Sequence, residues 1–441
     1  MEGILPSYQD FKSVILAGFD PSAALEGNPT FPMWGYGWLM LVTEDRLVLL
    51  IIQMTLALFA TQVTLNHLET TTTFSPGAMR ALRWFVAFAI PWYAIHAVRW
   101  PYSIAASMFL LSVVCLHRAL LEPRRGIRWV LVSGSLFGLI LNLRSDYYLM
   151  PLGLAAAVIW CGAQRARVAG YALVWLASIY ATLVPWMIYT RHVTGHPLLT
   201  STNGGHVFFI GLGNLPGNKW GVTAADDDPA MHSRLAKHFG EPKSSLIYES
   251  DRFLFQEFRR CVEQHPQEYL RKCGYALLSM IRFGPYPGEF YCQQSGAGER
   301  AHFEYRQHAR KLVTGPLELM RERGVETAIR TTLQLFSTII GRLVVVFGFA
   351  VLPLVFICAV RRRDVLSLLF CLAVAYQAML QIAAYTMPAY TSNMFFVHML
   401  NVIQGGTLLA SLIYRRSPSP TSCEVTTEIK RVPINSKRRA A

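Results

Sequence analysis

Long apolar runs, broken by short basic connections, set the pattern of this chain. Nine mostly apolar stretches, roughly 46–66, 82–99, 102–120, 127–143, 147–163, 169–190, 334–360, 365–386 and 394–414, come near the length of about 20 residues that a helix needs to cross a bilayer. Between the sixth and the seventh lies a long polar stretch, 191–333. The pattern predicts an all-α polytopic membrane protein of about nine transmembrane helices with a large extracytoplasmic loop domain. Ahead of the first run, in "YQDFKSVILAGF", Phe11, Val14, Ile15 and Phe19 recur at helical spacing, which predicts an amphipathic helix lying on the membrane surface.

Charge then orients the runs. Met79–Arg83, "EPRRGIR" (122–128), "QRARV" (164–168), "RRRD" (361–364) and "RRSPSP" (415–420) fall on one side if the runs alternate. The positive-inside rule makes that side cytoplasmic. The other side receives residues 1–45, the turns at 100–103 and 144–146, the segment 191–333 and "TMPAYTSN" (386–393). Five regions follow: a first external loop (1–45), an N-terminal bundle (46–190), the loop domain (191–333), the C-terminal helices (334–414) and a basic tail (415–441). The first loop has no span before it. Either a short N-terminus crosses unaided, or the chain lacks a first helix that its relatives possess.

Composition agrees with the pattern. Only 15% of residues are charged and 53% are hydrophobic, against roughly a quarter charged in soluble domains. The net charge of +14 sits largely in clusters flanking apolar runs, which argues against a nucleic-acid partner and for the lipid bilayer. The opening "MEGILPSYQDFKSVILAGF" carries acids early and does not read as a cleavable signal. Among eight cysteines, Cys261, Cys273 and Cys292 share one polar segment, so at most one disulfide is expected there. No Cys/His spacing supports zinc. No metal site is evident, and whether a divalent cation is needed stays open.

Candidate chemistry gathers on the external side. "STNGGHVFFIGLGN" (201–214) follows a helix that Pro185 interrupts, and it contains four glycines with Asn203, His206 and Asn214. Such a stretch is either a turn capping a helix exit or a loop that brings backbone and amide groups close to a ligand. "VEQHPQEYLRKCGYALLSMIRF" (262–283) predicts an amphipathic helix after His265-Pro266. Tyr269, Leu270, Leu277, Leu278 and Ile281 form its apolar side, with Arg271, Lys272 and Arg282 elsewhere. It either packs over the spans or grips lipid headgroups. Arg342, inside an apolar run, either holds a phosphate or reaches for the interface. Arg144 and Asp146 either pair with each other or share in phosphate binding. Asp10 is the best-placed acid of the N-terminal helix. No nucleophile-elbow motif, inverted repeat or intramembrane charge relay is visible, which weakens hydrolase and transporter readings.

Three of these stretches, "SYQDFKSVILAGFDPSAALEGNPTFPMWGYGWLM" (7–40), "LVPWMIYTRHVTGHPLLTSTNGGHVFFIGLGN" (183–214) and "VEQHPQEYLRKCGYALLSMIRF", together resemble the C-type-fold membrane glycosyltransferases of the dolichyl-phosphate-mannose–protein mannosyltransferase-like superfamily. The resemblance implies sugar transfer on the extracytoplasmic face from a polyprenyl-phosphate-linked donor, which would be the partner, to an acceptor it does not specify. It implies a carboxylate in the first loop as base or positioning group, a role that falls to Asp10. The family's usual first-loop Asp position holds Ser7, and the loop "RWPYSIAAS" carries no acid. Arg342 or Arg144 would hold the phosphate, with Asn203, His206 and Asn214 lining the site. The rival reading is a non-catalytic relative that binds the lipid carrier or serves an assembly. A transporter comes third.

Overall fold

A computed structural model describes chiefly residues 45–71, 74–89, 101–162, 165–283, 313–386 and 394–416, with isolated positions that include Thr30, Gly35, Trp92 and His96. Among the described residues the regular structure is helical and no strand occurs. The helices are α1 (Arg46–Thr71), α2 (Pro76–Ala87), α3 (Pro101–Leu121), α4 (Gly126–Leu143), α5 (Met150–Cys161), α6 (Arg165–Ala181), α7 (Val184–Thr194), α8 (Gly204–Gly211), α9 (Pro229–Phe239), α10 (Tyr248–Gln264), α11 (Pro266–Phe283), α12 (Pro316–Arg323), α13 (Val325–Arg362), α14 (Val365–Ala383) and α15 (Phe395–Arg416).

Five of these, α1, α3, α4, α13 and α14, are long and apolar enough to cross a membrane, and α6 with α7 makes a sixth if the bent pair is one span. Nine were expected. The run 82–99 begins inside α2, which closes at Ala87 with Phe88 as its cap. Pro91 has no N–H to offer the Ala87 carbonyl, so the helical ladder cannot run through unbroken. The run 147–163 yields α5, bounded by Pro151 in its first turn and Gly162 at its end. Its twelve residues reach about 18 Å, well short of a hydrocarbon core of about 30 Å. The run 169–190 breaks by 43° between α6 and α7. Pro185 lies in the first turn of α7 and leaves the Ala181 carbonyl without its usual donor.

The bundle core is one continuous apolar cluster drawn from α1 through α7 and from α13, α14 and α15. α4 and α6 approach closely. A Cβ on Gly138 would lie 1.9 Å from Thr182 Oγ1 and 2.8 Å from the Ile179 carbonyl, and one on Gly134 would strike Ser178. This is a small-xxx-small contact, in which missing side chains let two helices pack backbone to backbone. Ser112 and Ser133 exchange hydrogen bonds between α3 and α4, and Trp175 Nε1 donates to Ser133 Oγ at 2.9 Å.

The bundle has two chemically different ends. At one end His67 meets His117 (2.8 Å), so the last turns of α1 and α3 lie together. Tyr171 of α6 reaches the Pro123 carbonyl there. Tyr376, late in α14, accepts from Leu149 N–H at the start of α5, so these two helices run antiparallel and Val365 lies toward Cys161. Arg118, Arg124, Arg125, Arg128, Arg165 and Arg361–Arg363 therefore gather at this end. The opposite end carries the 201–283 segment.

That segment has its own core: Phe209, Ile210, Leu212, Trp220, Met231, Leu235 and Leu254 are buried with their neighbours in a cluster separate from the bundle's. It is fastened to the bundle at the C-terminal end of α14. Lys272 of α11, fully buried, donates to the carbonyls of Ile382 (2.8 Å), Ala383 (3.0 Å) and Ala384. Tyr269 adds a bond to Ala383 O, and Tyr385 O–H donates to Ala224 O. The inner face of α11 is built around Lys272, and most of the expected apolar side faces outward. Lys272, Ala276 and Met280 are buried, whereas Leu270, Leu277 and Leu278 are exposed. The free carbonyls of α14 attract the ammonium more strongly than a leucine could pack there.

Lys272→Met keeps the volume of the stem and removes the donors. It should lower stability by about 2 kcal/mol, the worth of hydrogen bonds to a charged group. Thermal unfolding in detergent reads this as a shift of the midpoint, and an unshifted midpoint would contradict the anchoring role.

Candidate functional site

The glycine stretch becomes a helix start. Asn203 precedes α8, and the amide N–H groups of Gly205 and His206 point at Asp251 Oδ1, 2.6 and 3.3 Å away. Asp251 comes from α10, so a carboxylate from another helix satisfies the orphan amides that α8 exposes. Gly205 is required for this approach. A Cβ there would fall 1.9 Å from the Asp251 carbonyl oxygen.

Between α8 and α10 runs a groove of about 350 Å³. Gly204, Gly205, Asp251, Arg252 and Arg259 line it together with Phe208 and Phe255, whose rings touch edge to face with centroids 5.6 Å apart. Burial pushes the Asp251 carboxyl up to about 6, against the opposing pull of the two amides. Arg252 donates to Tyr248 O–H at 3.3 Å, and Arg259 lies 3.7 Å from Glu263 on the exposed face, a contact of little energetic weight. An acid of near-neutral pKa between guanidiniums and rings can take a proton and can hold an anionic or hydroxyl-rich ligand.

The expected site residues separate into two groups. Arg144 and Asn203 come together: Arg144 Nε pairs with Asp146 Oδ1 at 3.0 Å and its guanidinium stacks on Tyr102, while Ser145 Oγ meets Ser201 Oγ (3.2 Å), which donates to Asn203 Oδ1. His206 is buried, with its ring nitrogens 2.9 Å from Ser245 Oγ and 3.3 Å from Asp226 Oδ1. Asn214 is a bracket, donating to Thr386 O and accepting from Thr386 N–H. Arg342 is half-buried in the middle of α13, twenty residues before Arg362. That places it roughly 30 Å along the helix, one hydrocarbon thickness from the basic end. Asp10 lies outside the described residues. Thr30, which is described, meets the glycine stretch: its Oγ1 lies 2.7 Å from Thr202 Oγ1 and its carbonyl accepts from Thr202 N–H.

Asp251, Arg252, Phe255 and Arg259 carry no motif. "YESDRFLFQEFRRCVEQ" reads as an ordinary amphipathic helix, and only the neighbouring α8 distinguishes Asp251 from Glu249. Among the described residues no group of three or more His, Cys, Asp or Glu could hold a metal ion, and Cys261 and Cys273 are free thiols. Compared with protein-family models, with curated proteins and with solved structures, the chain matches none.

Asp251→Ala removes the cap of α8 and should cost about 1 kcal/mol, whereas Asp251→Asn keeps an acceptor oxygen and should cost less. The native carboxyl has a folded-state pKa near 6, above its unfolded value of 3.8. Its contribution to stability is therefore full below 3.8 and is lost as pH rises through 6. Melting curves between these pH values should fall more steeply for the wild type than for Asp251→Asn. Equal slopes would place the carboxyl in water.

Proposed function

We propose that this protein is a membrane glycosyltransferase that moves a sugar from a polyprenyl-phosphate-linked donor to an acceptor on the extracytoplasmic face. One observation carries the reading. The α8–α10 groove combines a carboxylate of near-neutral pKa, two guanidiniums and two aromatic rings at the bundle end opposite the basic clusters. Glycosyl transfer needs these functions: a group to take the acceptor's proton, cations to hold the departing phosphate, and apolar faces for a sugar ring. With the basic end cytoplasmic, the groove is external, at a plasma membrane or the inner membrane of a bacterium. In this reading α2 and α5, too short to span alone, cross together with the residues that flank them, and with α15 they bring the crossings to nine, while residues 191–333 form the external loop domain. The exposed leucines of α11 rest on the bilayer surface. Asp10 positions the acceptor, and Arg342, at the outer interface, shares the lipid phosphate with Arg252 and Arg259 of the groove.

A second reading, a non-catalytic subunit that binds the lipid carrier or serves an assembly, has its own support. Arg144, His206 and Asn214 all spend their polar atoms on the protein's own contacts.

Purified protein, incubated with a panel of polyprenyl-phosphate sugars, should consume one donor. Asp10→Asn should lower turnover and spare donor binding, because in this reading Asp10 positions the acceptor hydroxyl whose proton Asp251 takes. Arg342→Leu should weaken donor binding. The rate should rise with pH through about 6, and Asp251→Asn should flatten that limb. Tight donor binding without consumption would select the second reading, and neither binding nor consumption would overturn both. In intact cells, a cysteine added in 201–214 should react with an impermeant reagent while one placed after Arg415 should not.

A further inference from the structure

The basic end of the bundle holds a second cavity, of about 160 Å³, where α13, α14 and α15 meet. Arg362 and Asp364 both line it, and no ion pair joins them among the described residues. Thr407 and Ser411 of α15 complete its polar side, while Phe74, Val355 and Leu408 make the rest apolar. The hydroxyl protons are already committed: Thr407 O–H donates to Ile403 O and Ser411 O–H to Leu408 O. What these residues offer a ligand is therefore oxygen lone pairs, beside the carboxylate of Asp364. That carboxylate accepts from Ser367 N–H and Ser367 O–H, and Ser367 Oγ in turn accepts from Gln404. The turn carrying Arg362 and Asp364 is held by Arg363, the one non-glycine among the described residues with positive φ (54°). Backbone kept in that region marks a turn whose geometry its surroundings dictate.

We propose that this cavity binds the headgroup of a zwitterionic phospholipid of the phosphoethanolamine type. The chemistry divides in two. A guanidinium takes the phosphate, in the two-pronged geometry that arginine suits. The carboxylate and the two hydroxyl oxygens accept from a primary ammonium, which has three N–H donors and no lone pair. A choline headgroup of the same charge has no N–H to give them. A glycerol headgroup can donate from its hydroxyls but brings no positive charge to offset the negative charge of Asp364. The apolar wall of Phe74, Val355 and Leu408 offers a surface for the first methylenes of the acyl chains. The site is independent of the external groove.

Native mass spectrometry of the full-length protein, stripped of lipid in detergent, tests this. It is titrated with phosphatidylethanolamine, phosphatidylcholine and phosphatidylglycerol of matched acyl chains, and separately with soluble glycerophosphoethanolamine. Phosphatidylethanolamine should bind about tenfold more tightly than phosphatidylcholine, the equivalent of one hydrogen bond to a charged group. Asp364→Asn, which can still cap α14, should erase that preference. Arg362→Gln should weaken both lipids alike. Thr407→Val lies on an exposed helix face and should lower the preference without disturbing the fold. Tight binding of glycerophosphoethanolamine, equal to that of the lipid, would make the ligand a soluble phosphoester and overturn the lipid assignment. Equal affinity for ethanolamine and choline lipids, or preference for phosphatidylglycerol, would overturn the proposal.

Discussion

The buried ammonium of Lys272 on the open carbonyls of α14 is the contact on which the rest of the architecture depends. A helix end leaves its last carbonyls without partners and carries partial negative charge. An ammonium removed from water needs compensation worth several kcal/mol. Each solves the other's problem only if α11 lies across the end of α14. Burial pulls the lysine down to about 8, and the three carbonyls and the helix dipole keep it charged at neutral pH. Once α11 is placed, Tyr269 joins both sides: it bonds Ala383 O and packs on Phe258 of the second core.

From that anchor the groove follows. α10 leads directly into α11 at His265-Pro266, so fixing α11 fixes α10. α10 presents Asp251 to the amides of α8, and α8 is tied back to the bundle at both ends. Its start is linked through Ser201 to Ser145 and through Thr202 to Thr30, and its far end through Asn214 to Thr386. The groove is consequently a rigid interval between two helices, each held by separate polar contacts. Residues that look like ligands in the linear chain are consumed in this fastening, and the residues left over the groove are ones that no motif marks.

The two ends of the bundle divide the chemistry. One end combines a shifted carboxylate with guanidiniums and rings; the other gathers arginines and holds a small mixed cavity that one of them, Arg362, lines. Both cavities occur where helices end, because only there do backbone groups, charged side chains and apolar walls meet in one place. At the α4–α6 contact, by contrast, Gly134 and Gly138 let the helices pack without such space.

Hydropathy and charge by themselves determined that the protein is helical, that several of its helices are of membrane length, and that the basic connections share one end. These are sums over neighbouring residues and need no long-range contact. The break at Pro185 was equally legible, since a missing N–H acts within four residues. The number of long spans was not, because hydropathy does not register where Pro151 and Gly162 confine a helix to twelve residues. Nor was the inner face of α11, because periodicity marks an apolar side without saying what it faces, and the carbonyls of a helix 110 residues away drew in Lys272. The roles of Arg144, His206, Asn214 and Asp251 also belonged to the tertiary structure. Each depends on which polar group the fold places within about 3 Å, the reach of a hydrogen bond, and no local pattern along the chain carries that distance.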